Sequence, residues 1–402
     1  MRVVVATESR CVRTPDARVW IQVGPDYPVW TRYLSAFGMV RIVARVLDVP
    51  EAPAGATRVD GDGVEVWPVP YYLGPRQYLL RQPAIRRAVG AAASDTDAVI
   101  LRVPSPIGSL LAASRERLGL PYALEVIGDP YDVFAPGVVR HPLGPALRHS
   151  LTRRLRHQCR SAVAVAYETE RHLQARYPAG PGAPTAGVSS VDLSPAAYVP
   201  RARTVEQTRQ VAALVAVGSL EQMYKGVDTL LQALARLATT NLRPRLVHVG
   251  DGRFRPRLEH LADELGVANQ VTFAGIVPTV EAVRRELDSA DLFVMPSRTE
   301  GLPRALVEAM ARGLPAIGST VGGIPELLAP EDLVAPDDPA ALATAIGRFL
   351  GDPIRMATAS ARNLARSRDF SADSLTPRRT AYYQAVADAV SGRYRGPLRS
   401  SR

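Results

Sequence analysis

Val215-Ala216-Val217-Gly218-Ser219-Leu220-Glu221-Gln222-Met223-Tyr224-Lys225-Gly226-Val227-Asp228 joins five apolar residues, Ala213 to Val217, to a segment in which Val227, Leu230, Leu231, Leu234 and Leu237 recur at helical spacing. The apolar run reads as a buried parallel strand and the spaced residues as the core face of a helix. Lys225 stands between them and is the only lysine in the chain; the other 48 of the 49 basic residues are arginines. A sequence that writes Arg wherever a generic positive charge serves keeps Lys where a compact, mobile ammonium is needed. In open α/β sheets this strand-to-helix edge binds anions, because unpaired helix N–H groups and the crevice beyond the strands converge there. The plain alternative is a lysine left by chance on a surface loop.

The alternation continues outward in both directions. Strand candidates upstream are Arg2 to Ala6, Val40 to Val46, Val64 to Trp67, Ala98 to Val103, Tyr122 to Ile127 and Ala162 to Ala166. Downstream come Arg245 to Val249, Gln270 to Phe273, Leu292 to Met295 and Leu314 to Ile317, most of them followed by a helical pattern such as Phe254, Leu258, Leu261, Leu265. Strands alternating with helices predict parallel sheets covered on both faces. Tyr177-Pro178-Ala179-Gly180-Pro181-Gly182-Ala183-Pro184 is too rich in Pro and Gly for regular structure and marks a break. At 402 residues the chain exceeds one ordinary core. The expectation is α/β, with two facing Rossmann-like domains: residues 1–185, a linker over 186–210, and residues 211–370. Residues 371–402 complete the chain as a terminal helix, opened by Thr376 and Pro377 and reaching Val390, with a frayed basic tail from Ser391 to Arg402.

A hydrophobic content of 47% fits a globular protein, and no run of about 18 uncharged apolar residues is present to span a membrane. Glu8 and Arg10 follow the first strand too soon for a secretory leader, so the cytoplasm is the expected compartment. Cys11 and Cys159 lack paired spacing and His partners, which points to ordinary reduced thiols. The formal net charge of +10 invites a polyanion reading, but the arginines run along the whole sequence and no nucleic-acid motif is found among them. One local concentration spans Leu143 to Arg160. Leu147, Leu151 and Leu155 form a helical stripe there, with Arg153, Arg156 and Arg160 off it. Such a helix either rests on an anionic membrane surface, a peripheral contact, or faces the core with a solvated basic side.

The chemistry concentrates in Asp291-Leu292-Phe293-Val294-Met295-Pro296-Ser297-Arg298-Thr299-Glu300-Gly301-Leu302-Pro303-Arg304-Ala305-Leu306-Val307-Glu308-Ala309-Met310. A buried strand ends at Pro296, the loop carries Glu300, and Gly301, Leu302 and Pro303 lead into a helix with Pro303 suited to its first turn. Two carboxylates flanking a helix N-terminus can accept hydrogen bonds from a polyol while free N–H groups hold a phosphate. Gly250-Asp251-Gly252-Arg253 begins like a dinucleotide fingerprint, but position 255 is Arg255 and the third glycine is missing. His248, on the preceding strand, reads as a core histidine.

These residues resemble glycosyltransferase family 4, retaining sugar-nucleotide transferases of the GT-B fold. The resemblance rests on Glu300 and Glu308 with seven residues between, on Gly218 through Lys225-Gly226, on Val249-Gly250-Asp251-Gly252, and on Val321-Gly322-Gly323-Ile324-Pro325-Glu326. It is strong from Ala213 to Gly351 and loose before that; Gly187 to Asp192 looks like a variant of the family's link between domains. It implies an N-terminal acceptor domain and a C-terminal donor domain, with Lys225 on the donor diphosphate, Glu300 on the donor sugar and Glu308 on the ribose. Gly218, Ser219, Gly250, Asp251, Gly301, Leu302 and Pro303 would line the donor, a nucleoside-diphosphate sugar, with no cofactor.

Three departures accompany the resemblance. Ser219 stands where many members carry Arg, which leaves more of the phosphate to Lys225, with Arg304 as a helper. Asp129, in Gly128-Asp129-Pro130, is the candidate polar group where many members place a His. Thr7-Glu8-Ser9-Arg10 replaces the glycine-rich loop after the first strand, so acceptor binding is expected to be atypical. Asp60 and Asp62, and Asp95 and Asp97, have metal-ligand spacing but lie in turns far from the nucleotide cluster, and no metal is expected. Rival readings are a sugar-nucleotide epimerase or hydrolase on the same fold and a noncatalytic membrane-surface scaffold.

Overall fold

The computed structural model describes residues 1–134, 143–204, 212–277 and 279–392. Part of the expected linker, from 205 to 210, and the expected basic tail from 393 on lie outside them. The chain divides into two compact units: Met1–Asp129 with Ser150–Val188 and the chain from Thr376 onward, and Pro130–His149 with Ser189–Leu375.

The first unit holds a sheet of nine strands: β1 (Arg2–Arg13), β2 (Val19–Ile21), β3 (Met39–Asp48), β4 (Thr57–Arg58), β5 (Val64–Pro70), β6 (Ala98–Val103), β7 (Ala123–Val126), β8 (Val165–Tyr167) and β9 (Thr185–Gly187). The run β5-β3-β1-β6-β7-β8-β9 is parallel, while β2 and β4 add an antiparallel flap. Val3, Val4, Val5 and Ala6 are all fully buried, as a strand covered on both faces requires. Val4 and Ala6 enter one core with Ile85, Val89, Ile107, Leu111, Leu155 and Cys159, from the helices Gly74–Gly90, Pro106–Arg117 and Gly144–Ser161. Val3 and Val5 enter the opposite core with Trp30, Tyr33, Tyr382, Tyr383 and Val386.

Several local expectations change. β1 does not stop at Ala6 but runs through Thr7-Glu8-Ser9-Arg10 to Arg13, with a register shift against β3 between Ala6 and Arg10, and Cys11 regains the core. Thr185–Gly187, which straddles the expected start of the linker at 186, is the edge strand β9. The terminal helix starts at Ala372 and runs to Val390, so Pro377 lies inside it, two residues past the division between units. The Gly144 helix sinks Leu155 and Cys159 into the core, half-buries Leu147 and Leu151, and turns Arg153, Arg154, Arg156 and Arg160 to solvent. Among the described residues no helix is long and apolar enough to cross a membrane. Cys11 and Cys159 are free and sit in opposite cores, and burial pushes both thiols up to about 12.

The second unit is a six-stranded parallel sheet in the order β12-β11-β10-β13-β14-β15, formed by β10 (Ala213–Val217), β11 (Arg245–Val249), β12 (Val271–Gly275), β13 (Leu292–Met295), β14 (Ala316–Ser319) and β15 (Leu333–Val334). The chain steps outward from β10 to β12, returns to β13 beside β10, and steps out the other way. The switch point therefore falls between β10 and β13, where ligands of such sheets bind beyond the carboxyl ends of the strands. The Val227–Ala238 helix buries Val227, Leu230, Leu231, Leu234 and Leu237, the residues whose spacing announced it.

Candidate active site

The loops leaving β10 and β13 meet at that switch point. A short turn, Met223–Lys225, ends at Gly226 and passes directly into the Val227 helix. The Lys225 ammonium donates to Glu300 Oε1 at 2.7 Å, and the Ser297 hydroxyl donates to the same oxygen at 2.7 Å. Both partners of the ion pair are largely shielded from water, with side-chain exposures of 16% for Lys225 and 8% for Glu300. Two glycines make the approach possible. A Cβ at Gly218 would lie 2.9 Å from Lys225 Cε, so the lysine stem crosses a bare backbone. At Gly322, with φ +54°, a Cβ would lie 1.9 Å from the Glu300 carbonyl oxygen, so only glycine lets the loop after β14 touch the loop after β13.

Arg298 locks the two main loops together. Its guanidinium grips both Asp228 oxygens at 2.9 Å and reaches Asp337 at 2.6 Å, while its backbone N–H donates to the Tyr224 carbonyl at 2.7 Å. The arginine thereby fixes the turn that carries Lys225. Neither Arg298 nor Ser297 stands out in the sequence; only their position on the strand-end loop beside Glu300 hinted at a role.

The other expected site residues are distributed around this centre. Gly301 accepts the Gly323 N–H at 2.7 Å, and Leu302 is buried. Pro303 is the N-cap rather than a first-turn residue of the Arg304–Ala311 helix, which starts without a side-chain cap. Gly250 and Asp251 follow β11; the Asp251 carboxylate accepts the Gly252 N–H at 2.8 Å, which together with Arg255 lowers its pKa. Ser219 is exposed and accepts the Glu221 N–H at 3.2 Å. Glu308 does not join the Lys225–Glu300 pair. It is bound by Arg304 at 2.9 Å and lines a 210 Å³ pocket with Asp192, Arg284 and Arg312, so Arg304 is engaged on the helix surface.

Asp129 belongs to the first unit, at the carboxyl end of β7, where it is buried and accepts from the Arg176 guanidinium and the Tyr177 hydroxyl. Glu8, read in the sequence as part of the segment that replaces a glycine-rich loop, lies at the register shift within β1, beyond the carboxyl end of β6. Glu8 Oε1 accepts the Ser105 hydroxyl and the Ile107 N–H, both at 2.9 Å, and Oε2 accepts the Tyr72 hydroxyl at 2.6 Å. A carboxylate of the protein thus fills the helix N-terminus at this sheet's own switch point. Asp60 and Asp97 serve structure, bound to Arg58 and Arg2.

His248 is 1% exposed, with its ring near Phe273 and, among the described residues, no hydrogen-bond partner for Nδ1. Burial drives its pKa down to about 4. The unfolded chain takes up a proton near pH 6.5 that the folded chain refuses, so this stability is complete above pH 6.5 and is lost as pH falls toward 4. The loss amounts to roughly 3 kcal/mol at most. In urea denaturation at pH 7.5 and 4.5, His248→Leu is expected to lose less stability on acidification than wild type; equal losses would reject the assignment.

Residues 212–352 fit the family model of Glycosyl transferases group 1. Protein CapJ of Staphylococcus aureus is 26% identical over 332 residues, 82% of either chain. A GDP-mannose-dependent phosphatidylinositol monomannoside mannosyltransferase of Corynebacterium glutamicum is 34% identical over 146 residues, covering 34% of this chain and 38% of its own. In fold, the chain is similar to a sucrose-phosphate synthase from Thermosynechococcus elongatus, with a TM-score of 0.69 and 20% identity over 97% of this chain and 100% of the other. Residues 212–352 thus match the Glycosyl transferases group 1 model, and the α/β fold with parallel sheets is similar to that of GT-B structures. The enzyme class these findings support is glycosyltransferase.

Proposed function

We propose that the protein is a retaining, metal-independent hexosyltransferase that moves a sugar from a nucleoside diphosphate to an acceptor hydroxyl in glycan, glycolipid or secondary-metabolite biosynthesis. The observation that carries this reading is the Lys225–Glu300 pair with Ser297 at the switch point of the second sheet, near the uncapped start of the Arg304 helix. In the reaction the bond from the anomeric carbon to the diphosphate breaks, and the bond to the acceptor oxygen forms on the same face. The acceptor proton leaves on the departing phosphate. Lys225 and the first-turn N–H groups stabilise the charge gathering on that phosphate.

Glu300 faces the sugar as it becomes cationic, and Glu308 holds the ribose. Gly218, Ser219, Gly250, Asp251, Gly301, Leu302 and Pro303 line the donor. Acceptor binding falls to the first unit, and Asp129 is the candidate active-site polar group where related enzymes place a His. The GDP-mannose dependence in the name of the Corynebacterium relative favours a nucleotide-sugar donor.

Among the described residues no group of three potential metal ligands includes Glu300. Transfer is therefore expected to persist in excess EDTA, and activity abolished by EDTA and restored by Mg²⁺ or Mn²⁺ would overturn metal independence. A thermal-shift screen against sugar nucleotides tests the donor assignment. A ligand at about 100 times its Kd adds roughly 2.7 kcal/mol, and a panel without any shift contradicts it. Product analysis with and without acceptor then distinguishes transfer from epimerisation or hydrolysis.

A further inference from the structure

Folding gathers the positive charge of this chain onto one surface. The helices Gly74–Gly90 and Pro106–Arg117, with the Ser150–Ser161 part of the Gly144 helix, carry ten arginines and a single acidic residue, Glu116. That balance of +9 accounts for nearly all of the chain's formal +10. The three helices form one layer, since Ile85 and Val89, Ile107 and Leu111, and Leu155 and Cys159 all enter the same core on one face of the first sheet. Arg115 is buried on the carbonyls of Ser94, Asp97 and Pro121. The other nine are exposed, and among the described residues none of them pairs with a carboxylate.

The Gly74 helix adds apolar side chains to this surface. Arg76, Leu79, Leu80, Pro83 and Arg87 recur at steps of three and four, which places them on one side of the helix, opposite the buried Ile85 and Val89. All five are exposed, Leu80 by 83% and Leu79 by 64%. Packing within the fold gives these leucines nothing, and a soluble polyanion would engage the arginines while leaving the leucines in water. A bilayer accommodates both, with leucines below the headgroups and guanidiniums at anionic phosphates.

We propose that this helical face docks on an anionic lipid bilayer, with Leu79 and Leu80 inserted. The assignment is independent of the donor-site reading, because every residue in it belongs to the first unit. The test is flotation of the full chain with vesicles of phosphatidylcholine alone and of phosphatidylcholine containing about a third phosphatidylglycerol. Binding is expected to the anionic vesicles only and to weaken as salt rises from about 0.1 to 1 M, which shortens the screening length from ~10 to ~3 Å. Arg86→Gln with Arg87→Gln lowers partitioning about thirtyfold, roughly fivefold for each arginine. Leu79→Ser with Leu80→Ser lowers it at least about tenfold. Unchanged melting temperatures establish that both variants fold. The proposal is overturned if anionic vesicles are not bound at low salt, if neutral vesicles bind equally well, or if the leucine variant binds like wild type, which would leave only attraction to a polyanion.

Discussion

Lys225→Ala lowers kcat/KM by about thirty- to a thousandfold, or roughly 2 to 4 kcal/mol, the scale of removing one preorganised donor from a developing anion. The ammonium is held where such an anion would form: the turn beneath it is clamped by Arg298, and its stem lies across Gly218. The substitution also strips the shielded Glu300 carboxylate of its cation, which by itself destabilises a protein by several kcal/mol. Lys225→Met combined with Glu300→Gln separates the two effects, because it removes both charges. Its melting temperature is expected to return toward wild type while its activity stays low. Lys225→Arg is expected to be impaired as well, since a longer planar guanidinium does not fit the path across Gly218. Near-wild-type rates in a well-folded Lys225→Ala enzyme would remove this lysine from the phosphate.

Glu300→Gln lowers kcat by about ten- to a hundredfold, the value of one hydrogen bond to a charged group, and changes KM less. In the proposed reaction the carboxylate faces a sugar whose positive charge grows toward the transition state, so the lost interaction is strongest there. Glu308→Gln shows the opposite split. Glu308 stands apart from the Lys225–Glu300 pair, against Arg304 in its own pocket, and its assigned partner, the ribose, does not react. The loss then falls equally on ground and transition states and appears in KM. Steady-state kinetics with nucleoside-diphosphate binding on both variants decides the matter. Weaker binding of the bare nucleotide in Glu300→Gln, with unchanged binding in Glu308→Gln, would reverse the two roles.

Much of the second unit was legible in the sequence because its central strands are buried on both faces and its helices on one. Ala213 to Val217 and Leu292 to Met295 are uninterrupted apolar runs, and they coincide with β10 and β13. The family match over 212–352 covers the segment, Ala213 to Gly351, where the motifs are dense. β2, β4 and β15 escaped notice because two or three residues carry no period. The start of the terminal helix was misplaced because Pro377 reads as a first-turn residue, whereas the helix tolerates it further in.

By itself the sequence determined the α/β class and the place of Lys225 and Glu300 beyond strand ends, since each depends on local periodicity or on position after an apolar run. Only the tertiary structure decided that Ser297 and Lys225 share one oxygen of Glu300, that Arg298 clamps the turn, and that Glu8 closes a helix N-terminus beside β1. Those contacts join residues 75, 70 and 99 positions apart. The surface charge follows the same rule. Of three arginine-bearing segments the sequence singled out only Leu143 to Arg160; the shared core beneath the helices aligns all three, because hydrophobic burial on one face dictates which residues stand together on the other.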